Sequence, residues 1–151
     1  MTRRRAAYAA SVTGAGIVVA SFIGDAWFGL TAIPAAVGID AFDGVAVGTA
    51  LALFLISLVI WGWAFAIAVA RSAQGDDVVV ANLFVTVGGA PSQIRTLLFG
   101  SLGLCVIVAA ATAAANPFGV LVPMLPLGFV GLWAARHGSF PARRASNPRQ
   151  R

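Results

Sequence analysis

Five aspartates, one histidine and one cysteine are the side chains that this 151-residue chain offers for acid–base or metal chemistry. Asp76 and Asp77 form the one adjacent pair of acids. Neighbouring carboxylates can hold a divalent cation or divide the roles of acid and base. Membrane enzymes that use such a pair on phospholipids add further acids and basic phosphate ligands at fixed spacing, and here no third ligand lies within sequence reach. A polar turn that sets the register of the next apolar segment is the simpler reading. His137 is single, so it cannot supply paired axial ligands to a haem, and the single Cys105 excludes an internal disulfide and any multi-cysteine metal site. The sequence therefore assigns no catalytic residue, no metal ligand set and no cofactor. The residues that remain as candidates for contact with a partner or with lipid are Asp76, Asp77, Asn82, Phe84 and Arg95. Asn82 reads either as a hydrogen-bonding anchor or as an ordinary loop residue. Gly88-Gly89-Ala90-Pro91-Ser92 opens a helix with Arg95 one turn on, where free N–H groups and the helix dipole favour anions. It has neither the Walker spacing nor a lysine, so a plain capped helix start is preferred over a headgroup site.

The elements that must position these residues are apolar runs. Hydrophobic residues make up 60% of the chain and charged residues 10%, with a mean hydropathy of +0.92; a soluble domain carries about a quarter charged residues. All ten cations are arginines. They fall on one side of the alternating apolar runs, at Arg3 to Arg5, Arg71, Arg95, Arg136 and the tail, whereas the first intervening segment carries only Asp25, Asp40 and Asp43. This is the positive-inside pattern. The formal charge of +5 and the pI near 11.4 do not indicate nucleic acid, because no aromatic residues interleave the arginines. Anionic lipids of the inner leaflet are the expected counter-charge.

The predicted fold is all-α, a polytopic bundle of four transmembrane helices in a bacterial plasma membrane with both termini cytoplasmic. The membrane domain covers 1–138, with spans at about 7–28, 45–70, 96–115 and 118–135 and a cytoplasmic loop at 71–95. Residues 139–151 form a disordered basic cytoplasmic tail. The arginine-led start followed by an apolar run has no convincing small-residue cleavage site before Asp25, so it reads as a retained span. Asp25 follows Arg5 by 20 residues, about 30 Å of helix, which places it as a solvated carboxylate at the outer interface. The stretch 26–39 is too short to cross alone and reads as an interfacial or re-entrant loop anchored by Trp27, with continuation of the first helix as the open alternative. Ser57 is expected to bond back to its own helix, and Trp61 and Trp63 to point to different faces. Residues 78–87, β-branched and aromatic, favour an extended or interfacial segment against the membrane or a partner. Gly100, Gly103 and the alanines from Ala109 make the third span the expected centre of the bundle. Pro91 is expected at the first position of that helix, and Pro123 and Pro126 are expected to kink the fourth. His137 and Gly138 form a cationic helix end and C-cap.

The stretches Gly75-Asp76-Asp77-Val78-Val79-Val80-Ala81-Asn82-Leu83-Phe84, Gly119-Val120-Leu121-Val122-Pro123-Met124 and Gly131-Leu132-Trp133-Ala134-Ala135-Arg136-His137-Gly138-Ser139-Phe140-Pro141 resemble a family of small integral membrane proteins of actinobacteria. The resemblance covers the C-terminal two thirds. It implies a membrane fold and a taxon and transfers no catalytic residue.

The function expected from these features is that of a non-enzymatic accessory or assembly protein, presenting the loop from Asp76 to Arg95 to a membrane protein partner or to the inner leaflet. One alternative is a small oligomeric transporter or channel, for which Ser57, Ser101 and Thr112 would have to line a polar lumen. Another is a lipid-modifying enzyme that uses Asp76 and Asp77.

Overall fold

In the computed structural model, residues 2–79, 83–85 and 87–142 are described, with backbone alone for 2–12 and 88. Asn82 and the tail beyond Ala142 lie outside the described residues. Among the described residues the chain forms four long helices, α1 (Thr2–Ala36), α2 (Asp43–Ala73), α3 (Ser92–Thr112) and α4 (Met124–His137). Short 3-10 turns precede α2, α3 and α4 at Asp40–Phe42, Val87–Gly89 and Pro117–Leu121. Four stretches of the described residues are long and apolar enough to cross a membrane, Thr13–Ala36, Asp40–Ala73, Ser92–Thr112 and Pro117–His137.

The ends of α1 and α2 are set by glycine. Gly38 (φ +85°) and Gly75 (φ +102°) take the left-handed conformation that side chains with a Cβ disfavour. At the end of α1, Gly38 N–H donates to Ala35 O and Ile39 N–H to Pro34 O. At the end of α2, Gly75 N–H donates to Ser72 O and Asp76 N–H to Arg71 O. Both are Schellman pairs, which satisfy the last orphan carbonyls of a helix. The second one folds Asp76 back over Arg71.

Three expectations change. The apolar stretch 26–39 is neither an interfacial nor a re-entrant loop, because α1 continues through it to Ala36. Pro34 lies inside the last turn, where it cannot donate the i→i−4 bond to Leu30. Pro123 and Pro126 do not kink a long helix. Pro123 is instead the N-cap of α4 and separates it from the 3-10 turn, and Pro126 falls in the first turn, where a missing N–H costs nothing. The centre of the bundle is α4 rather than the third span: 61% of the fourth apolar stretch is buried, against 22% of Ser92–Thr112. A Cβ on Gly100 or Gly103 would meet nothing within 4 Å, whereas one on Gly128 would lie 2.9 Å from Trp61. Small residues mark close packing only when they face a neighbour.

The core has two apolar layers. One gathers Ile17, Val18, Leu98, Val130 and Trp133 near the arginine-bearing end, and the other gathers Phe28, Leu53, Cys105, Val122 and Leu125 further along. Large apolar side chains such as Leu30, Leu55, Val59, Phe65 and Ile107 point outward, as a surface solvated by lipid tails requires. At the end of the bundle away from Arg71, Asn116 is buried and donates from Nδ2 to Ala46 O at 3.1 Å, which ties the α3–α4 connection to the start of α2. Asn116→Ala is expected to lower stability by about 1 kcal/mol, read as a lower unfolding midpoint in detergent. An unchanged midpoint would show that the tie contributes nothing.

Candidate functional site

Two polar assemblies stand out, one at the arginine-bearing end and one inside the bundle.

At the arginine-bearing end, Arg71 Nε donates to Asp76 Oδ2 at 2.8 Å. Its Nη1 donates to Ala135 O at 3.1 Å and to Gly138 O at 2.8 Å, and its guanidinium lies 4.7 Å from the centre of the Phe140 ring. The cation that meets the C-terminal carbonyls of α4 thus comes from α2, not from His137. Gly138 is the C-cap, and its N–H donates to Ala134 O. Asp77 is exposed, and its backbone N–H donates to Pro141 O at 2.8 Å. The segment after it folds inward: Leu83 and Val87 are buried, and Phe84 stacks on Trp61 with ring centroids 4.6 Å apart. Trp61 in turn donates from Nε1 to Met124 O at 3.0 Å, while Trp63 faces outward.

Of the expected contact residues, Asp76 and Phe84 are therefore engaged in contacts within the protein, Asp76 at a partly exposed ion pair. Asp77 and Arg95 remain exposed, and Asn82 lies outside the described residues. The structure brings none of these together into one surface cluster. Residues 78–87 contribute no strand among the described residues; Leu83 and Phe84 form a helical turn instead.

The second assembly was not expected. Asp25 is only 5% exposed. Its Oδ2 accepts a hydrogen bond from Ser101 Oγ, and Ser101 Oγ lies 2.6 Å from Ser21 Oγ. With Ser101 donating to the carboxylate, Ser21 is the donor to Ser101, giving a chain of three side chains from α1 to α3 and back. Cys105 is the remaining polar neighbour of the carboxyl group; a thiol is a weak donor. Asp25 Oδ1 is buried with no hydrogen-bond partner. The assembly lies between the two apolar layers, since Ile17 and Val18 precede it and Phe28 follows it on α1.

Its depth follows from α3. Ser101 comes nine residues after Ser92 and eleven before Thr112, about 14 Å and 17 Å along the helix, so the carboxylate is level with the middle of an apolar helix. The expected interfacial, solvated Asp25 is thereby replaced by a desolvated one. Counting from Arg5 assumes that the span begins there, whereas the packing of α1 on α3 puts Ser21 and Asp25 level with Ser101. A signal was available: Ser21 and Asp25, and likewise Ser101 and Cys105, are four residues apart and share a helix face.

Beside Asp25 a groove of about 740 Å³ opens between α1 and α3, with Asp25, Ala26, Gly29 and Leu30 along one wall and Leu104 and Cys105 on the other. Three further buried hydroxyls do not extend this polar chain. Thr31, Ser57 and Thr112 donate to Phe28 O, Phe54 O and Val108 O of their own helices.

Ser101→Ala is expected to destabilise the protein by about 1–2 kcal/mol, because it removes the donor to a buried carboxylate. Ser21→Ala should cost less, since Ser21 does not reach the carboxyl group. Equal losses, measured by unfolding in detergent, would contradict the order of donation given above.

No family model, curated protein or solved structure matches this chain.

Proposed function

We propose that this protein is a non-enzymatic accessory or assembly protein of a bacterial plasma membrane, multi-pass and with both termini cytoplasmic, that associates with a partner inside the bilayer. The observation that carries this reading is the carboxylate of Asp25, held at mid-length of the helices with one oxygen unpaired beside an open groove. Ionisable residues inside membrane spans are costly to bury and mark functional positions. The orientation rests on the arginine distribution. The contact surface moves from the loop to the α1–α3 face, because Asp76 and Phe84 are already engaged within the chain.

The test is site-specific photocrosslinking in native membranes. Probes at Leu30 and Leu104, on the two walls of the groove, should capture the same identified membrane protein, and Asp25→Leu should abolish that capture. A probe at Val59, outward on α2, should label lipid. Lipid alone from both groove positions would refute the reading.

A small transporter is the second reading, favoured by the same carboxylate, since ion paths use acids at this depth. Against it, the buried hydroxyls of Thr31, Ser57 and Thr112 bond to their own helices and do not lead away from Asp25. Proton or cation flux above background in liposomes, lost in Asp25→Asn, would promote it over the first.

A further inference from the structure

From the geometry of the groove we infer the chemistry of its occupant: a transmembrane helix of another protein carrying a lysine or arginine near its midpoint, which pairs with Asp25. The inference rests on the reading above and names the partner class that the reading leaves open.

Three observations lead there. Asp25 Oδ1 is buried and unpartnered, and Asp25 is one of the residues along the α1 wall of the groove. The donor left beside it is the weak Cys105 thiol, whereas a cationic donor supplies charge as well as hydrogen bonds. Depth then selects the carrier. The cationic headgroup of a lipid stays at the interface, about 15 Å from the bilayer centre, while the carboxylate is level with the middle of α3. A cation reaches that level on the side chain of a helix, where an opposite charge offsets part of its burial cost.

Shape agrees with this. From Phe22 to Pro34 the α1 wall of the groove runs twelve residues, about 18 Å at helical rise. Ala26 and Gly29 follow Asp25 on that wall, so a second backbone can approach closely beside the acid.

A second copy of this chain does not fit. Its arginines stand at positions 3–5, 71, 95, 136 and in the tail, and it contains no lysine. Arg71 and Arg136 fall in the last turns of α2 and α4, and Arg95 in the first turn of α3. A homodimer therefore offers no cation at the level of Asp25.

The experiment uses the full chain in phosphatidylcholine vesicles, with a donor dye at its C-terminal end. Acceptor-labelled host peptides of about 20 leucines and alanines carry a central lysine, a central serine or a central leucine, and association is read by energy transfer. The lysine peptide should associate about tenfold more strongly than the leucine peptide. Asp25→Asn should abolish that preference, Asp25→Glu should retain most of it, and Leu104→Trp should reduce it by filling the groove with the acid intact. Circular dichroism and an unfolding midpoint taken on each variant separate lost pairing from lost folding.

Equal association of the three peptides would overturn the inference, as would a lysine preference that survives in folded Asp25→Asn. Asp25-dependent association between two labelled copies of this chain would overturn it as well. Equal association of the peptides with continued capture of a partner at Leu30 and Leu104 would refute the cation while leaving intramembrane assembly standing. Loss of both would remove the two together.

Discussion

Gly131→Val is expected to lower stability by about 3 kcal/mol and to release the connection between α2 and α3 from the bundle. A Cβ at this position would lie 2.8 Å from Phe84 Cζ, closer than real Cβ atoms approach, and other atoms of the same ring are also in the way. The ring cannot retreat toward α2, because it already stacks on Trp61 with the planes 19° apart. Relief therefore requires Phe84 to leave its site, which forfeits the aromatic pair, worth about 1 kcal/mol beyond its burial. Overpacking of the remaining core adds about 1–3 kcal/mol. Trypsin cleavage after Arg71 or Arg95 reports the detached connection, and the unfolding midpoint in detergent reports the energy. In a Phe84→Ala background the same glycine substitution should cost much less, since the atoms it meets are gone; coupling of this kind is what a double-mutant cycle isolates. Wild-type resistance to trypsin in Gly131→Val would refute the packing account of this loop.

This packing shows where sequence reasoning reaches and where it stops. The helix period alone separates Trp61 from Trp63, and the structure turns Trp61 to Met124 and Phe84 and leaves Trp63 exposed. The fold class, four apolar helices, follows from run length and composition. Which glycines face inward does not. Gly100 and Gly103 in α3 carry the same spacing as Gly128 and Gly131 in α4, yet the first pair meets open space and the second meets Trp61 and Phe84. The difference lies in partners far away in the sequence.

Asp25 illustrates the same limit for the site. α1 is 35 residues long, far more than the 20 or so that a bilayer needs. Several windows of it satisfy hydropathy equally, and only contact with α3 selects one. The Ser21–Asp25 and Ser101–Cys105 spacings are legible as two polar faces, but their meeting across helices is a tertiary fact. Asp76 was legible as a turn residue after Gly75. Its partner was not, because a Schellman turn brings it back on Arg71 through a left-handed glycine, and the remaining bonds of Arg71 go to the end of α4, more than sixty residues on.

Arg71→Leu is the second large effect expected, a loss of about 2–3 kcal/mol. The substitution removes the donor to Ala135 O and Gly138 O, and hydrogen bonds from a charged donor are worth about 1.5–3 kcal/mol. It also removes the contact with the Phe140 ring and leaves Asp76 unpaired. The ion pair itself is the smaller part. Its side chains are 24% and 32% exposed, and pairs within reach of solvent contribute about 0–1 kcal/mol. Asp76→Asn should therefore cost under about 1 kcal/mol, and added salt should erase most of even that difference. Arg71→Lys should fall between the two, since a point ammonium cannot reach the carboxylate and two carbonyls with the fixed fork of a guanidinium. Unfolding midpoints of the three variants at low and high salt decide the matter. If Asp76→Asn were as damaging as Arg71→Leu, the ion pair would be the main fastening. If Arg71→Leu alone is severe and insensitive to salt, the role of Arg71 is to cap α4 from a neighbouring helix, which fixes the helix at the centre of the bundle and, through Trp61 and Phe84 packed on it, the connection that crosses this end of the protein.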